Sequence, residues 1–233
     1  MEADSVRIGV VGRCQMLRRV VFSLVVLMLP LAALPSLAQT TTPKPPKTIF
    51  RDWNGELVSN NEFVDIRMAN FGEKDRTVVK TLEDGTIEFN LPRIPQEGTR
   101  PPQFAVTTVD GKAVSLDSLK GKVVVLNFWF IACAYCRALQ PKLNSFKAKF
   151  GDDENLVFLA ISPDSTTELK KYLAKERFDY LQVGDAEPLL AKFRFTGYPK
   201  NIVLNKQGEI VYWRSTLHAW DKFESVVRAE IAK

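Results

Sequence analysis

Two cysteines separated by two residues, Cys133 and Cys136, are the side chains of this sequence best suited to covalent chemistry. A sulfur at the start of a helix faces unpaired backbone N–H groups and the positive end of the helix dipole, which favours thiolate over thiol. Cys133 is therefore the candidate nucleophile. Cys136, one helical turn further on, can attack a mixed disulfide on Cys133 and release the bound partner. The pair predicts thiol–disulfide exchange through a redox-active disulfide, and we expect neither a cofactor nor a metal.

The same two cysteines allow other interpretations. A purely structural disulfide across so short a loop would remove little chain entropy. Tetrahedral zinc would need two further ligands, which only the single histidine, His218, and carboxylates could supply. A binding protein could instead use the two thiolates to hold copper or another soft metal.

The residues around the pair predict a strand before it and a helix after it. The run Val123 to Phe130 is apolar except for Asn127, which is typical of a strand covered on both faces. Apolar residues recur at helical spacing after the second cysteine, namely Leu139, Leu143, Phe146 and Phe150. Pro141 should kink this helix without ending it. The cysteine pair is therefore expected at the helix start.

The remainder of the chain continues the alternation of strand and helix. The predicted elements are a hairpin of Phe104 to Val109 with Ala113 to Ser115, a strand at Leu156 to Ile161, a helix capped by Ser165, a strand at Tyr180 to Val183, a helix at Glu187 to Phe195, a hairpin of Ile202 to Leu204 with Ile210 to Trp213, and a last helix along Trp220, Phe223, Val227 and Ile231. This order predicts an α/β sandwich with a mixed central sheet.

The first 38 residues predict a secretory signal. Arg13, Arg18 and Arg19 precede the apolar run Val20 to Leu34, and Ser36-Leu37-Ala38 offers small residues at alternate positions before a cleavage point after Ala38. The alternative is an uncleaved membrane anchor, but a spanning helix needs about 20 apolar residues, and this run is shorter and contains a proline. The mature protein is therefore expected to be exported.

Three further segments follow the signal. Residues 39–48, rich in Thr, Pro and Lys, predict a linker. Residues 49–98 predict a small β-rich extension, because β-branched runs flank the hairpin turns Asn54-Gly55 and Asp84-Gly85. Residues 99–233 predict the α/β domain.

Composition excludes several classes of protein. With 45% hydrophobic and 25% charged residues, the chain is neither collagen-like, nor wholly disordered, nor a multi-span membrane protein. The 32 basic and 27 acidic residues are scattered without a basic run, so no nucleic-acid partner is expected. One histidine excludes most Cys/His and Ser/His catalytic pairs.

The segment from about Pro101 to Lys233 resembles the thioredoxin fold in its exported TlpA/ResA-like version, which has an AhpC/TSA-type redoxin core. The similar landmarks are the strand Lys122 to Trp129, the motif Cys133 to Cys136, the helix proline Pro141 and the loop Gly197-Tyr198-Pro199.

This resemblance implies more than the residues do alone. Pro199 would be cis and would face the cysteines, and Tyr198 would offer backbone N–H and C=O groups to an extended substrate segment. Tyr135, inside the motif, would contact the substrate. The implied activity is reduction of disulfides in envelope proteins, with an upstream membrane thiol donor restoring the dithiol. The implied location is the bacterial periplasm or cell envelope.

The chain departs from the family pattern at several positions. Ala132 replaces a common Trp, and Tyr135 replaces a common Pro. Asn127 stands where thioredoxin has a buried Asp, and Leu139 stands where many ResA-like proteins have Glu. Both customary proton acceptors for Cys136 are therefore absent.

Three carboxylates, Asp164, Glu168 and Asp185, are candidate substitutes for those acceptors, with a solvated surface charge as the plain alternative for each. The shared redoxin core also leaves a peroxiredoxin as an alternative function. The Pro and Thr or Ser that a peroxidatic motif places before its cysteine are missing here, because residues 130–132 are Phe, Ile and Ala.

Overall fold

The computed structural model describes residues 44–70 and 76–233. The predicted signal and cleavage site, and the first half of the predicted linker, lie outside these residues. No helix within the described ranges is both long and apolar enough to cross a bilayer. The strands are β1 (Thr48–Arg51), β2 (Leu57–Val58), β3 (Val78–Thr81), β4 (Ile87–Asn90), β5 (Ala105–Thr107), β6 (Ala113–Ser115), β7 (Val123–Phe128), β8 (Leu156–Ile161), β9 (Leu181–Val183), β10 (Lys200–Leu204) and β11 (Ile210–Arg214). The α-helices are α1 (Asn60–Ala69), α2 (Ala134–Ala148), α3 (Thr166–Leu173), α4 (Glu187–Phe193) and α5 (Trp220–Ala232).

The central sheet has five strands in the order β11-β10-β7-β8-β9. β7, β8 and β9 are parallel, whereas β10 and β11 are antiparallel to their neighbours, which confirms the predicted mixed sheet. All six residues of β7 are buried. Leu126 and Phe128 belong to the core on one face, and Val123 and Val125 belong to the core on the other. The cysteine motif therefore follows a strand that is buried over its whole length.

The helix that contains the motif, α2, and the next helix, α3, begin where the sequence predicts. α2 starts at the cysteines and continues through Pro141. α3 is capped by Ser165, whose hydroxyl accepts from the Glu168 N–H while the Glu168 carboxylate accepts from the Ser165 N–H. This reciprocal capping box satisfies two N–H groups that a helix start otherwise leaves unpaired.

Before residue 99, β1 to β4 form a separate four-stranded sheet in the order β2-β1-β4-β3. The two predicted hairpin turns are present, with the Gly55 N–H donating to the Asp52 carbonyl and the Gly85 N–H donating to the Leu82 carbonyl. The description of this segment as simply β-rich was incomplete, because the ten-residue helix α1 lies between β2 and β3.

The helix α1 escaped sequence analysis because its buried face is not purely apolar. Ile66 and Ala69 are buried, but so is Asp65, and Val64 and Met68 are exposed. A charged residue on the inner face and apolar residues on the outer face weaken the 3.6-residue periodicity that identifies an amphipathic helix. The available signal was Ser59, whose hydroxyl accepts from the N–H three residues later as an N-cap.

Asp65 holds α1 against the start of α5. Its side chain is fully buried, and its two carboxylate oxygens accept from the N–H groups of Leu217 and Ala219, each at 2.9 Å. Ala219 is the N-cap of α5 and has no side chain able to cap it. A carboxylate from a distant helix therefore satisfies the backbone donors at this helix start and complements its dipole.

A buried arginine makes a second connection between the same segments. Arg214, on β11, lies 3.2 Å from the Glu62 carboxylate and 3.6 Å from the Glu97 carboxylate. Glu97 also accepts from the Trp213 N–H at 3.1 Å. Burial raises the pKa of Glu97, and the Arg214 charge opposes that rise. Residues before the predicted boundary at 99 thus bind the edge strand β11, and the boundary itself stays a prediction.

Replacing Asp65 by alanine should lower the free energy of unfolding by about 2–4 kcal/mol, because two buried N–H donors lose a charged acceptor. Chemical denaturation of the two proteins measures the difference. The matched control is Asp117→Ala, which removes an exposed carboxylate paired only with Lys120 and should cost less than about 0.5 kcal/mol. Equal losses in the two variants would contradict this role for Asp65.

Candidate active site

Cys133 occupies the N-cap position of α2. Its backbone is extended rather than helical, and its Sγ accepts from the Cys136 N–H at 3.1 Å. The sulfur thus takes the position that a serine or aspartate oxygen occupies at an ordinary helix start. The sulfurs of Cys133 and Cys136 are joined as a disulfide.

The two sulfurs differ in accessibility. Cys136 is 2% exposed and belongs to the core beside α2, whereas Cys133 is only half-buried and packs at the margin of that core. Tyr135, between them, is 49% exposed. An external thiol or disulfide therefore reaches the Cys133 sulfur far more readily than the Cys136 sulfur.

The loop before β10 carries the second predicted part of the site. The peptide bond between Tyr198 and Pro199 is cis, as the resemblance implies. Lys200 then starts β10 directly opposite Phe128, the last residue of β7. Because the two strands are antiparallel, the segment entering β10 and the segment leaving β7 toward the cysteines emerge at the same end of the sheet.

Aromatic rings connect these two segments. The ring of Tyr198 lies 4.9 Å from that of Phe130, three residues before Cys133, and 4.9 Å from that of Phe195. The Cys133 N–H donates to the Phe130 carbonyl at 3.1 Å, so this ring belongs to the turn that presents the cysteine. Burial raises the pKa of the Tyr198 hydroxyl, which leaves it neutral at physiological pH. The substrate-binding roles of Tyr135, Tyr198 and Pro199 stay predictions.

Of the three candidate proton acceptors, the structure brings only Asp164 to the motif loop. Its carboxylate accepts from the Ile131 N–H and from the Ser162 hydroxyl, each at 2.7 Å. Glu168 is engaged in the capping box of α3, and Asp185 accepts from the N–H and hydroxyl of Thr166 at the start of the same helix. These hydrogen bonds lower the pKa of both Glu168 and Asp185, which weakens them as proton acceptors.

Asn127 and Leu139 occupy the two positions at which the family resemblance would imply an acidic residue. Asn127 is buried, and its Nδ2 donates to Asn201 Oδ1 at 2.8 Å. Asn201 in turn donates to the Ser215 carbonyl at 3.1 Å. This chain of amides carries no titratable group. Leu139 is half-buried and contributes only packing to the same core.

Sequence analysis overlooked Lys200, which follows the cis proline directly. Its side chain is 1% exposed, and within the described part of the chain its Nζ has no hydrogen-bond partner. The nearest aromatic contact is the Trp213 ring, whose centroid is 5.9 Å from Nζ. Burial lowers the pKa of Lys200 from 10.5 to about 8, and the charge of Asp65 partly opposes this. A lysine at the start of a fully buried strand was the only sequence signal.

The lowered pKa of Lys200 predicts a stability that changes with pH. Below about pH 8 the amine is protonated in both the folded and the unfolded chain, and its burial is unfavourable. Between about pH 8 and 10 the folded chain loses this proton first, so the unfolded chain binds more protons and stability rises. We expect Lys200→Met to abolish this rise and to be up to about 3 kcal/mol more stable at pH 7.

Denaturation curves at several pH values, with the exposed Lys170→Met as the control, test this expectation. The control should keep the alkaline rise. A Lys200→Met protein with the same rise as the parent would show that this amine is not responsible.

We next consider which side chains could bind a metal ion. Across residues 44–70 and 76–233, no group of three or more His, Cys, Asp or Glu side chains is placed to hold a metal ion. His218, the one imidazole of the chain, is exposed just before α5.

Comparison with known proteins places this site in a wider group. The AhpC/TSA family matches residues 98–213. The thiol-disulfide oxidoreductase ResA of Bacillus thuringiensis (strain Al Hakam) is 26% identical over 145 residues, which cover 58% of this chain and 83% of that protein. The thioredoxin-like protein YneN of Bacillus subtilis (strain 168) is 27% identical over 117 residues, which cover 49% and 69% respectively.

A solved structure shows the same fold. The thioredoxin domain of a thiol-disulfide oxidoreductase from Bacteroides vulgatus superposes with a TM-score of 0.50 at 27% identity, over 57% of this chain and 97% of that domain.

Proposed function

Because the chain belongs to the ResA/TlpA-like thiol-disulfide oxidoreductases with an AhpC/TSA domain, we propose that it reduces disulfides of exported proteins through a Cys133–Cys136 dithiol–disulfide couple. The observation that carries this proposal is the difference between the two sulfurs. One caps a helix at the surface and the other is buried behind it. Thiol–disulfide exchange in either direction needs this arrangement, with one sulfur open to the substrate and one protected from it, and the reducing direction is proposed from the family resemblance.

The reaction begins with the reduced protein. The Cys133 thiolate attacks one sulfur of the substrate disulfide, the substrate S–S bond breaks, and its other sulfur leaves as a thiolate that takes up a proton. The bonded intermediate is a mixed disulfide on Cys133. Cys136 then loses its proton and attacks Cys133 Sγ, which forms the internal disulfide and releases the second substrate thiol. Two electrons pass from the dithiol to the substrate.

The helix start lowers the free energy of the first step. The Cys136 N–H that donates to Cys133 Sγ is in place in the disulfide form, so it needs no rearrangement to stabilise a thiolate there. When Cys136 attacks Cys133 Sγ in the second step, the substrate sulfur bonded to Cys133 is the leaving group, and that bond breaks as the internal disulfide forms. The polarity of the pair thus follows from which sulfur caps the helix.

The substrate segment would lie against the loop with the cis proline. Tyr198 and Pro199 precede β10 at the same end of the sheet as the motif, and the Tyr198 backbone would pair with an extended chain. The exposed ring of Tyr135 would add apolar contact next to the reacting sulfur. The substrate is thus proposed to be a disulfide within an accessible, extended protein segment.

The proposed location is outside the cytoplasm, in the periplasm or envelope, where disulfides persist. In such a compartment a reductase needs a steady supply of electrons, so we propose a membrane thiol donor that reduces the Cys133–Cys136 disulfide after each turnover. The predicted signal at residues 1–38 supports export.

Replacing Cys133 by serine should abolish insulin reduction, a loss of about a thousandfold or more, because the other sulfur of the motif, Cys136, is buried. Cys136→Ser should also stop turnover but should accumulate a mixed disulfide with insulin that a reductant dissolves. Activity is followed by precipitation of the insulin B chain, and the mixed disulfide by non-reducing gel and mass spectrometry.

The control for these variants is Ser225→Cys in a chain lacking both motif cysteines, which presents a lone thiol on α5. It should not trap insulin efficiently. Turnover by the Cys133→Ser protein would refute the proposed role of that sulfur. Absence of turnover in the parent, combined with tight Cu(I) retention, would favour a metal-binding protein, and peroxide turnover would favour a peroxidase.

Truncating Tyr135 should weaken the binding of protein substrates more than that of small disulfides. Tyr135→Ala is expected to raise KM for insulin about five- to tenfold, since a half-exposed aromatic anchor contributes about 1 kcal/mol. Turnover of glutathione disulfide should change less than about twofold, because that molecule is too short to need the contact. Tyr135→Phe keeps the ring and should behave like the parent. An equal effect of Tyr135→Ala on both substrates would argue against a docking role.

A further inference from the structure

Behind the active-site helix lies a polar side chain with an unused donor. Gln140 is 4% exposed, and its Oε1 accepts from the Tyr172 hydroxyl at 2.7 Å. Its Nε2 has no hydrogen-bond partner within the described structure. A buried amide donor without an acceptor is unfavourable by about 1–3 kcal/mol, so a purely structural glutamine would be a poor choice at this position.

The position of Gln140 places it next to the buried cysteine. It follows Cys136 by four residues on α2, so the two side chains lie one turn apart on the same buried face of the helix. Tyr172, which holds the amide, lies 5.4 Å by ring centroids from Trp129, and Trp129 belongs to the same core as Cys136. Through Tyr172, Gln140 is therefore connected to the core in which Cys136 is buried.

The core around Cys136 contains few other groups that could stabilise a thiolate on this residue. The core beside α2 is built from hydrophobic residues, and burial in such surroundings favours thiol over thiolate. The fully buried acid Asp65 is engaged at the start of α5, and Glu97 is engaged by Arg214. The family's acid positions are Asn127 and Leu139. A charge on Cys136 would thus depend on neutral hydrogen-bond donors.

We propose that the Gln140 side-chain amide donates a hydrogen bond to the Cys136 thiolate when the disulfide is open, and that Tyr172 orients the amide for this purpose. The inference rests on the proposed function and gives the chain a neutral replacement for the missing carboxylate. Gln140 takes up no proton. The proton of Cys136 goes to water, and the departing substrate thiolate takes one up, so the overall exchange remains balanced.

The disulfide form explains why the donor is unpaired. While Cys136 Sγ is bonded to Cys133 Sγ, its side chain is directed toward the start of the helix. Opening the bond frees rotation about the Cα–Cβ bond of Cys136, and the sulfur becomes a charged acceptor. Burial raises the pKa of the Tyr172 hydroxyl, so this group stays protonated and continues to donate to Gln140 Oε1. Because Oε1 of Gln140 accepts from Tyr172, its Nε2 points away from that hydroxyl.

The test uses the Cys133→Ser protein lacking residues 1–38, because that segment contains Cys14 and its removal leaves Cys136 as the single cysteine. Its thiolate is titrated by ultraviolet absorbance, alone and combined with Gln140→Met, which keeps the length of the side chain but removes the donor. The titration midpoint should rise by about one to two pH units in Gln140→Met. Tyr172→Phe should produce a smaller rise, because the amide is present but no longer oriented.

The matched control is Gln182→Met, which alters another buried glutamine, on β9 at the edge of the sheet and two strands from β7. It should leave the midpoint unchanged even if it lowers the melting temperature as much as Gln140→Met does. If Gln140→Met fails to fold, Tyr172→Phe, which removes a single oxygen, makes the same comparison.

An unchanged midpoint in a folded Gln140→Met protein, or an equal rise in Gln182→Met, overturns the inference. In the protein with both cysteines, the pH profile of insulin turnover should move in the same direction as the midpoint. The titration needs no turnover, so its outcome is independent of the proposed function. Failure of the parent to reduce insulin would instead refute that function and leave the titration result intact.

Discussion

The contact on which the proposed chemistry depends is the hydrogen bond from the Cys136 N–H to Cys133 Sγ at the start of α2. One backbone donor both caps the helix and stabilises negative charge on the attacking sulfur. In the same geometry Cys133 is half-buried, whereas Cys136, three residues further on, is fully buried. All six residues of β7 are buried. Packing of this strand therefore fixes the start of the loop that leads to the N-cap residue Cys133.

The segment before residue 99 binds the edge strand β11 of the central sheet. Asp65 and Glu97 satisfy backbone donors of β11 and of the start of α5, and Arg214 binds Glu62 and Glu97. β11 pairs with β10, whose first residue follows the cis proline. A contiguous set of hydrogen bonds thus connects the N-terminal helix α1 to the strand behind the proposed substrate loop. These contacts explain why a segment without catalytic residues belongs to the folded structure.

The surroundings of Cys136 are neutral. Asn127 and Asn201 form a buried amide chain, Leu139 packs, and the Gln140 amide is held by Tyr172. A neutral donor stabilises a thiolate without competing for its proton, whereas a carboxylate would accept the proton but repel the charge. In the proposed mechanism, the second sulfur is therefore stabilised by a neutral donor and not by the carboxylate that the family resemblance would imply.

The sequence by itself determined the central strand, the helix start at the cysteines and the alternation that makes an α/β sandwich, because these depend on local periodicity and on the spacing of Cys133 and Cys136. The turns at Asn54 and Asp84 were equally local. Helix α1 was missed, since the partners that justify burying Asp65 lie more than 150 residues away in the chain. Only the tertiary structure decided that Lys200 is buried with no hydrogen-bond partner among the described residues, that Asp164 reaches the motif loop, and that Gln140 is buried on the same helix as Cys136. Burial and hydrogen-bond partners depend on which distant segments meet, and no local pattern contains that information.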